Sequence, residues 1–215
     1  MQPNPCSLAR SMAEDIHALE QALSFVQHEE SHDLALALSC FHNIQALPQA
    51  EIEQVLEQDT MEVLLTAFSW RLLIPAPGPR ASMAWEEAEA VMHPQTVWKQ
   101  PPVISHLVQR ACTTGCWQPE RTLPLTSSTL AHNLEAMTDF IECTRQYAPG
   151  YVLSANLLRA ALHEAGIHPD LEKVIIDFKA AGVLSPRLSS LSDAARHRSP
   201  LYEINPSVFI LSPYR

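Results

Sequence analysis

At 215 residues the chain has room for one large domain or two small ones of about 100 residues each. With 47% hydrophobic and 18% charged residues it is composed to bury a core, and 5 glycines against 17 prolines favour helices bounded by proline over a glycine-turned sandwich. The net charge of −10 sits in the first third: residues 1–70 hold one basic side chain, Arg10, against eleven acidic ones, which sets that segment against phosphate backbones.

The start, Met1-Gln2-Pro3-Asn4-Pro5, has neither a basic nor an apolar leader segment, and the apolar run Val63 to Ile74 is interrupted by Ser69 and Arg71. Cys6, Cys40, Cys112, Cys116 and Cys143 are odd in number and scattered, as reduced thiols would be. The expectation is an acidic, cytoplasmic, mainly helical protein with no membrane contact.

In residues 1–30, Met12, Ile16, Leu19, Leu23 and Val26 recur at spacings of four and three, which predicts an amphipathic helix. That stripe serves either to dock the helix on the core or as the seam of a homodimer. Residues 31–85 follow as a first module. Leu34 to Ile44 is apolar nearly all round and reads as a buried helix, and Pro48 starts a short one with Ile52, Val55 and Leu56 inward. Asp59 and Glu62 form a capping-box pattern that opens a third helix, with Met61, Leu64, Leu65 and Phe68 on its core face. Leu72-Leu73-Ile74 then reads as a strand, with Ala81 to Trp85 returning beside it.

Residues 86–128 predict a structured helical connector. Pro101 or Pro102 starts a helix carrying Val103, Ile104, Leu107, Val108 and Ala111, Gly115 ends it, and Trp85, Trp98 and Trp117 help to dock it. Residues 129–215 make a second module. A helix runs from Leu130 to Tyr147, and Ser154 caps another that Gly166 ends. Pro169 opens a third with Leu171, Val174, Ile175 and Phe178 inward, and Gly182 stops it. Val183-Leu184 and Leu201 to Ile204 pair as strands around a Ser- and Arg-rich loop, Ser185 to Pro200. The two modules align at an offset of 110 residues, matching Met61 with Leu171 and Phe68 with Phe178.

From Ser154 to Ile204 the order of cap, helix, proline-started helix, glycine stop, strand, loop and strand resembles a winged-helix domain. Residues 31–85 resemble the same fold less closely. The resemblance implies a mainly α fold with small β-hairpins as wings, in tandem modules joined by the helical connector.

His28-Glu29-Glu30-Ser31-His32 matches the H-E-x-x-H pattern, in which two imidazoles one turn apart hold zinc and the glutamate activates water. Too few residues precede it to build a supporting sheet, and Ser31 reads as the cap of the next helix. Cys112 and Cys116, one turn apart, lack a second ligand pair and read as one buried and one exposed thiol. No phosphate loop or nucleophile elbow is present, so no cofactor, no metal and no catalytic residue are expected.

On the third helix of the second module, the face opposite the core carries Lys173, Ile176, Asp177 and Ala180. An apolar centre rimmed with charge suits a protein contact better than a DNA groove. Arg159, Arg187, Arg196, His197 and Arg198 on the preceding helix and the wing are candidate phosphate contacts. Three readings follow. The first is a non-catalytic winged-helix adaptor or regulator that binds protein partners through its third-helix faces. The second is a DNA-binding transcriptional regulator using the C-terminal module and its wing. The third is a zinc metallohydrolase built on His28 and His32.

Overall fold

Prolines stand at the start of several helices in this chain, and Ser154, Asp170, Gly115 and Gly182 satisfy some of the backbone groups that helix ends leave free. The computed structural model describes residues 5–26, 30–56, 60–76, 84–85, 93–187 and 199–210, and within these the chain is mostly helical with two small three-stranded antiparallel sheets. Helix α1 spans Pro5–Ala22 and α2 Ser31–Ser39, followed by strand β1, Ala46–Pro48. The extended φ/ψ that Pro48 favours ends that strand and starts α3, Gln49–Glu53. Then come α4, Thr60–Ser69, β2, Ile74–Pro75, and β3, Val97–Lys99. Strand β3 lies between the other two, with Trp98 opposite both Leu47 and Pro75.

Two proline-initiated helices follow, α5, Pro102–Thr114, and α6, Pro119–Thr126. The second unit comprises α7, Met137–Tyr147, β4, Val152–Ser154, α8, Ala155–Glu164, α9, Leu171–Ala181, β5, Leu184–Pro186, and β6, Leu201–Ile204. Ser154 Oγ accepts from the Leu157 amide at 3.2 Å, as its N-cap reading anticipates. Asp170 caps α9 by accepting from the amides of Glu172 and Lys173, so Pro169 lies just outside the helix it was expected to open. Strand β6 is again the central one, with Tyr202 opposite Leu153 and Ile204 opposite Leu184. Both units thus run helix, strand, helix, helix, strand, strand, and in both the last strand enters the middle of the sheet.

Several expected boundaries move. Among the described residues the strand that pairs with β2 is 97–99, so the first unit extends past residue 85 and takes Trp98 out of the connector. Residues 81–83 and Asp59 lie outside the described residues, and Trp85 is not in a strand. The α7 helix begins at Met137 after a 3₁₀ turn, Leu134–Ala136, rather than at Leu130, and it leaves Leu134 exposed. The strands β1 and β4 come from segments read as loop or helix start.

The amphipathic stripe of α1 is spent inside the chain. Leu19, Leu23 and Val26 are buried and Ile16 is partly buried, because α1 packs against α5 and α2. Leu19, Leu23 and Val26 are thus core residues and are not free to form a homodimer seam; the side chain of Met12 lies outside the described residues. Burying each leucine stabilises the docked helix by roughly 1.5–3 kcal/mol, a gain a second copy could not also claim.

One continuous core joins the two units through the connector. Helix α5 packs on α1 and α9, and α6 on α7 and α9. Trp117 is buried and donates its Nε1–H to the Ser207 carbonyl at 2.7 Å, with the Phe25 ring 5.3 Å from it. The units also touch directly. Arg71, in the left-handed region at φ +54°, donates from Nε and Nη2 to Glu203 Oε1 at 3.0 and 2.6 Å, and from Nη1 to the Phe68 carbonyl. Its guanidinium lies 4.4 Å from the Phe68 ring centre. Fully buried Asn205 donates to the carbonyls of Arg71 and Gly182, each at 3.1 Å, which ties the turn after α4 to the end of α9.

Gly182 ends α9 at φ +76°, and a Cβ there would lie 2.6 Å from Cβ of Pro101. Gly182→Ala is expected to cost about 2 kcal/mol, from the left-handed backbone together with the displaced connector. Urea denaturation of the two proteins checks this, and an unchanged midpoint would show that the connector yields freely at Pro101.

Candidate functional site

The outer face of α9 is set by what its inner face must bury. Val174, Phe178 and Ala181 are buried, and Phe178 meets Phe140 at 6.3 Å between ring centres. With that side fixed, a rise of one turn every 3.6 residues turns Lys173, Ile176 and Ala180 to solvent. Ile176 is 65% exposed, flanked by exposed Glu172, Lys173 and Lys179. Asp177 departs from the expected free surface position. It is half-buried, and its Oδ2 accepts from Ser127 Oγ at 2.7 Å, which pins α9 to the end of α6. The usable face is thus narrower and more apolar than the sequence suggests, and exposed Leu125 stands on α6, which packs beside it.

On α4 the structure corrects the phase. Val63, Leu64 and Ala67 face the core, while Met61 and Leu65 are 51% and 44% exposed. Four of this helix's first six residues are apolar, so more than one stripe satisfies helical spacing, and contact with α2 selects the one through Leu64. Val63, which the stripe of Met61, Leu64, Leu65 and Phe68 left out, is inside. The exposed side of α4 forms a shallow groove lined by Glu30, Met61, Glu62, Leu65, Thr66 and Ser69. Sequence reasoning missed this groove because it assigned Met61 and Leu65 to the core.

The candidate phosphate contacts are only partly in view. Arg159 on α8 and Arg187 after β5 are exposed, and the Arg187 amide extends the β5–β6 pairing by donating to the Leu201 carbonyl. Arg196, His197 and Arg198 lie outside the described residues.

Of the H-E-x-x-H pattern, Glu30 is the N-cap of α2 and Ser31 its first residue, so His32 sits in a first turn, where its Nδ1 is 3.2 Å from Glu20 of α1. His28 and Glu29 lie outside the described residues, and among the described residues no three His, Cys, Asp or Glu side chains gather around a common point that would suit a metal. Cys112 and Cys116 are both half-buried, not one buried and one exposed, because Gly115 ends α5 between them. Burial pushes the Cys112 thiol up, with the negative charge of Asp15 adding to it, and burial likewise raises Cys40. Both therefore stay protonated and make poor nucleophiles at neutral pH.

Among the described residues no helix is long and apolar enough to cross a membrane. A family model matches residues 37–213, which is well over half of the chain and takes in both sheets. No curated protein and no solved structure matches the chain.

Proposed function

We propose that this chain, which belongs to the family whose model matches it over residues 37–213, is a tandem winged-helix adaptor that binds partner proteins through the outer faces of its third helices. The repeated order of helix, strand, helix, helix, strand, strand, with the last strand central in each sheet, supports the winged-helix reading. In such a unit α4 and α9 are the third helices. The resemblance by itself leaves function open, so the faces decide.

The observation that carries the reading is Ile176 at the centre of the α9 face. A helix that reads DNA aims arginine, lysine or amide side chains at base edges and phosphates. Here Ile176 and Ala180 stand exposed on α9 among Glu172, Lys173 and Lys179, and Met61 and Leu65 stand exposed on α4 with Glu62 and Ser69, so each face has an apolar centre and neither carries an arginine or an amide. Leaving a large aliphatic chain in water forgoes roughly 1–2 kcal/mol, which a protein partner recovers by covering it.

The test is fluorescence anisotropy of labelled random-sequence duplex DNA, at low salt and again near physiological salt. The adaptor reading expects no saturable binding at low salt, and expects Ile176→Asp to abolish partner capture by a chain that still melts as the wild type does. Saturable binding that collapses with added salt would instead favour the DNA-binding regulator, with exposed Arg159 and Arg187 among its phosphate contacts. Unchanged capture by folded Ile176→Asp would count equally against the adaptor.

A further inference from the structure

The groove on α4 specifies its occupant more narrowly than the face of α9 does, and this inference rests on reading α4 as a partner-binding helix. Met61 and Leu65 give the groove an apolar floor, and Glu30 and Glu62 stand on its lining with Thr66 and Ser69. Neither the Glu30 nor the Glu62 carboxylate has an ion-pair or hydrogen-bond partner among the described residues. Residues 11–70 hold no lysine or arginine. After Arg10 the next basic side chain is Arg71, and that guanidinium is held by Glu203 and the Phe68 ring.

Charge decides among the occupants an apolar groove could take. Nucleic acid and anionic lipid are repelled by the carboxylates, and the acidic first third of a second copy is repelled as well. A neutral apolar segment would fill the floor but would strip water from two carboxylates without pairing them, which is costly. A helix with leucine-like residues on one side and lysine or arginine beside them satisfies both requirements. Met61 to Ser69 rises about 12 Å along the α4 axis, enough to hold roughly two turns of such a helix. The thioether of Met61 adapts readily to different apolar partners. We propose that the α4 groove docks a basic amphipathic helix from a protein partner.

The experiment uses the full chain and two labelled synthetic helices of about four turns each. Both carry leucine at i, i+3, i+4 and i+7, one with lysine and the other with glutamate at the remaining positions. Anisotropy is expected to show saturable binding of the lysine helix, at least about tenfold tighter than the glutamate helix, a difference of about 1.4 kcal/mol. Leu65→Asp should remove that binding and Ile176→Asp should leave it unchanged. Reversing the rim with Glu30→Lys and Glu62→Lys should transfer the preference to the glutamate helix, and this carries the decision if Leu65→Asp fails to fold by circular dichroism. Equal affinities for the two helices, or no saturable binding, overturns the proposal. If only Ile176→Asp removes the lysine helix, the third-helix reading stands and the groove assignment falls. A dimer in sedimentation that the rim reversal dissolves would make a second copy the occupant and likewise overturn it, whereas salt-sensitive binding of random duplex would bring down the third-helix reading itself.

Discussion

Replacing Trp98 by alanine is expected to lower the stability of the chain by about 4 kcal/mol, within the range for truncating a buried tryptophan. Trp98 is fully buried at the middle of β3, where it faces Leu47 on one neighbouring strand and Pro75 on the other. Its indole Nε1–H donates to Gln49 Oε1 at 3.4 Å, so truncation also leaves a buried amide oxygen short of a donor. Trp98→Phe keeps most of the apolar area and should cost about half as much. Equilibrium urea denaturation followed by circular dichroism measures both. A loss below about 1 kcal/mol for the alanine variant would mean that the first sheet is not organised around this residue.

Arg71→Ala is expected to cost about 3 kcal/mol, because it strands Glu203 in the junction between the two units. The paired side chains are only 15% and 19% exposed, so raising the salt concentration should change the effect little. Arg71→Lys should not restore stability. A lysine cannot reach the carboxylate and the Phe68 carbonyl together or lie as a flat cation over the Phe68 ring. A double-mutant cycle with Glu203→Gln should return a coupling of about 2 kcal/mol. A coupling near zero would mean the two units hold together without this pair.

How much of this was legible in the residues differs from element to element. The α9 helix could be read well, because Val174 and Phe178 form a single apolar stripe and Gly182 marks its end. The connector helix α5 was equally plain between Pro102 and Gly115. The α4 helix misled because Met61, Val63, Leu64 and Leu65 offer overlapping stripes, and only packing against α2 chooses between them. The short strands β1 and β4 were invisible, since three residues cannot display a period of two, and each is defined by the distant strand that pairs with it. Strand β3 hid for the same reason, although Val97-Trp98-Lys99 alternates exposed, buried, exposed once its partners are known. Of the candidate site, the centre at Ile176 followed from helical phase alone. The tether of Asp177 to Ser127 and the groove beside Met61 did not, because both depend on neighbours far along the chain or on a phase the sequence leaves open.

The central place of the last strand in each sheet has a consequence for synthesis. A nascent chain that has emerged only as far as residue 96 already holds β1 and β2, yet neither can pair, because β3 at 97–99 is the strand that lies between them. The ribosome adds roughly 5–20 residues each second, so both would-be edges wait with open amides and carbonyls until Trp98 arrives. The second sheet repeats this delay, with β4 and β5 separated until 201–204 is made. Each unit therefore becomes cooperative late, when its final strand threads into place: a chain cut short before residue 97 should be degraded, and one cut short before residue 201 should lack the second sheet.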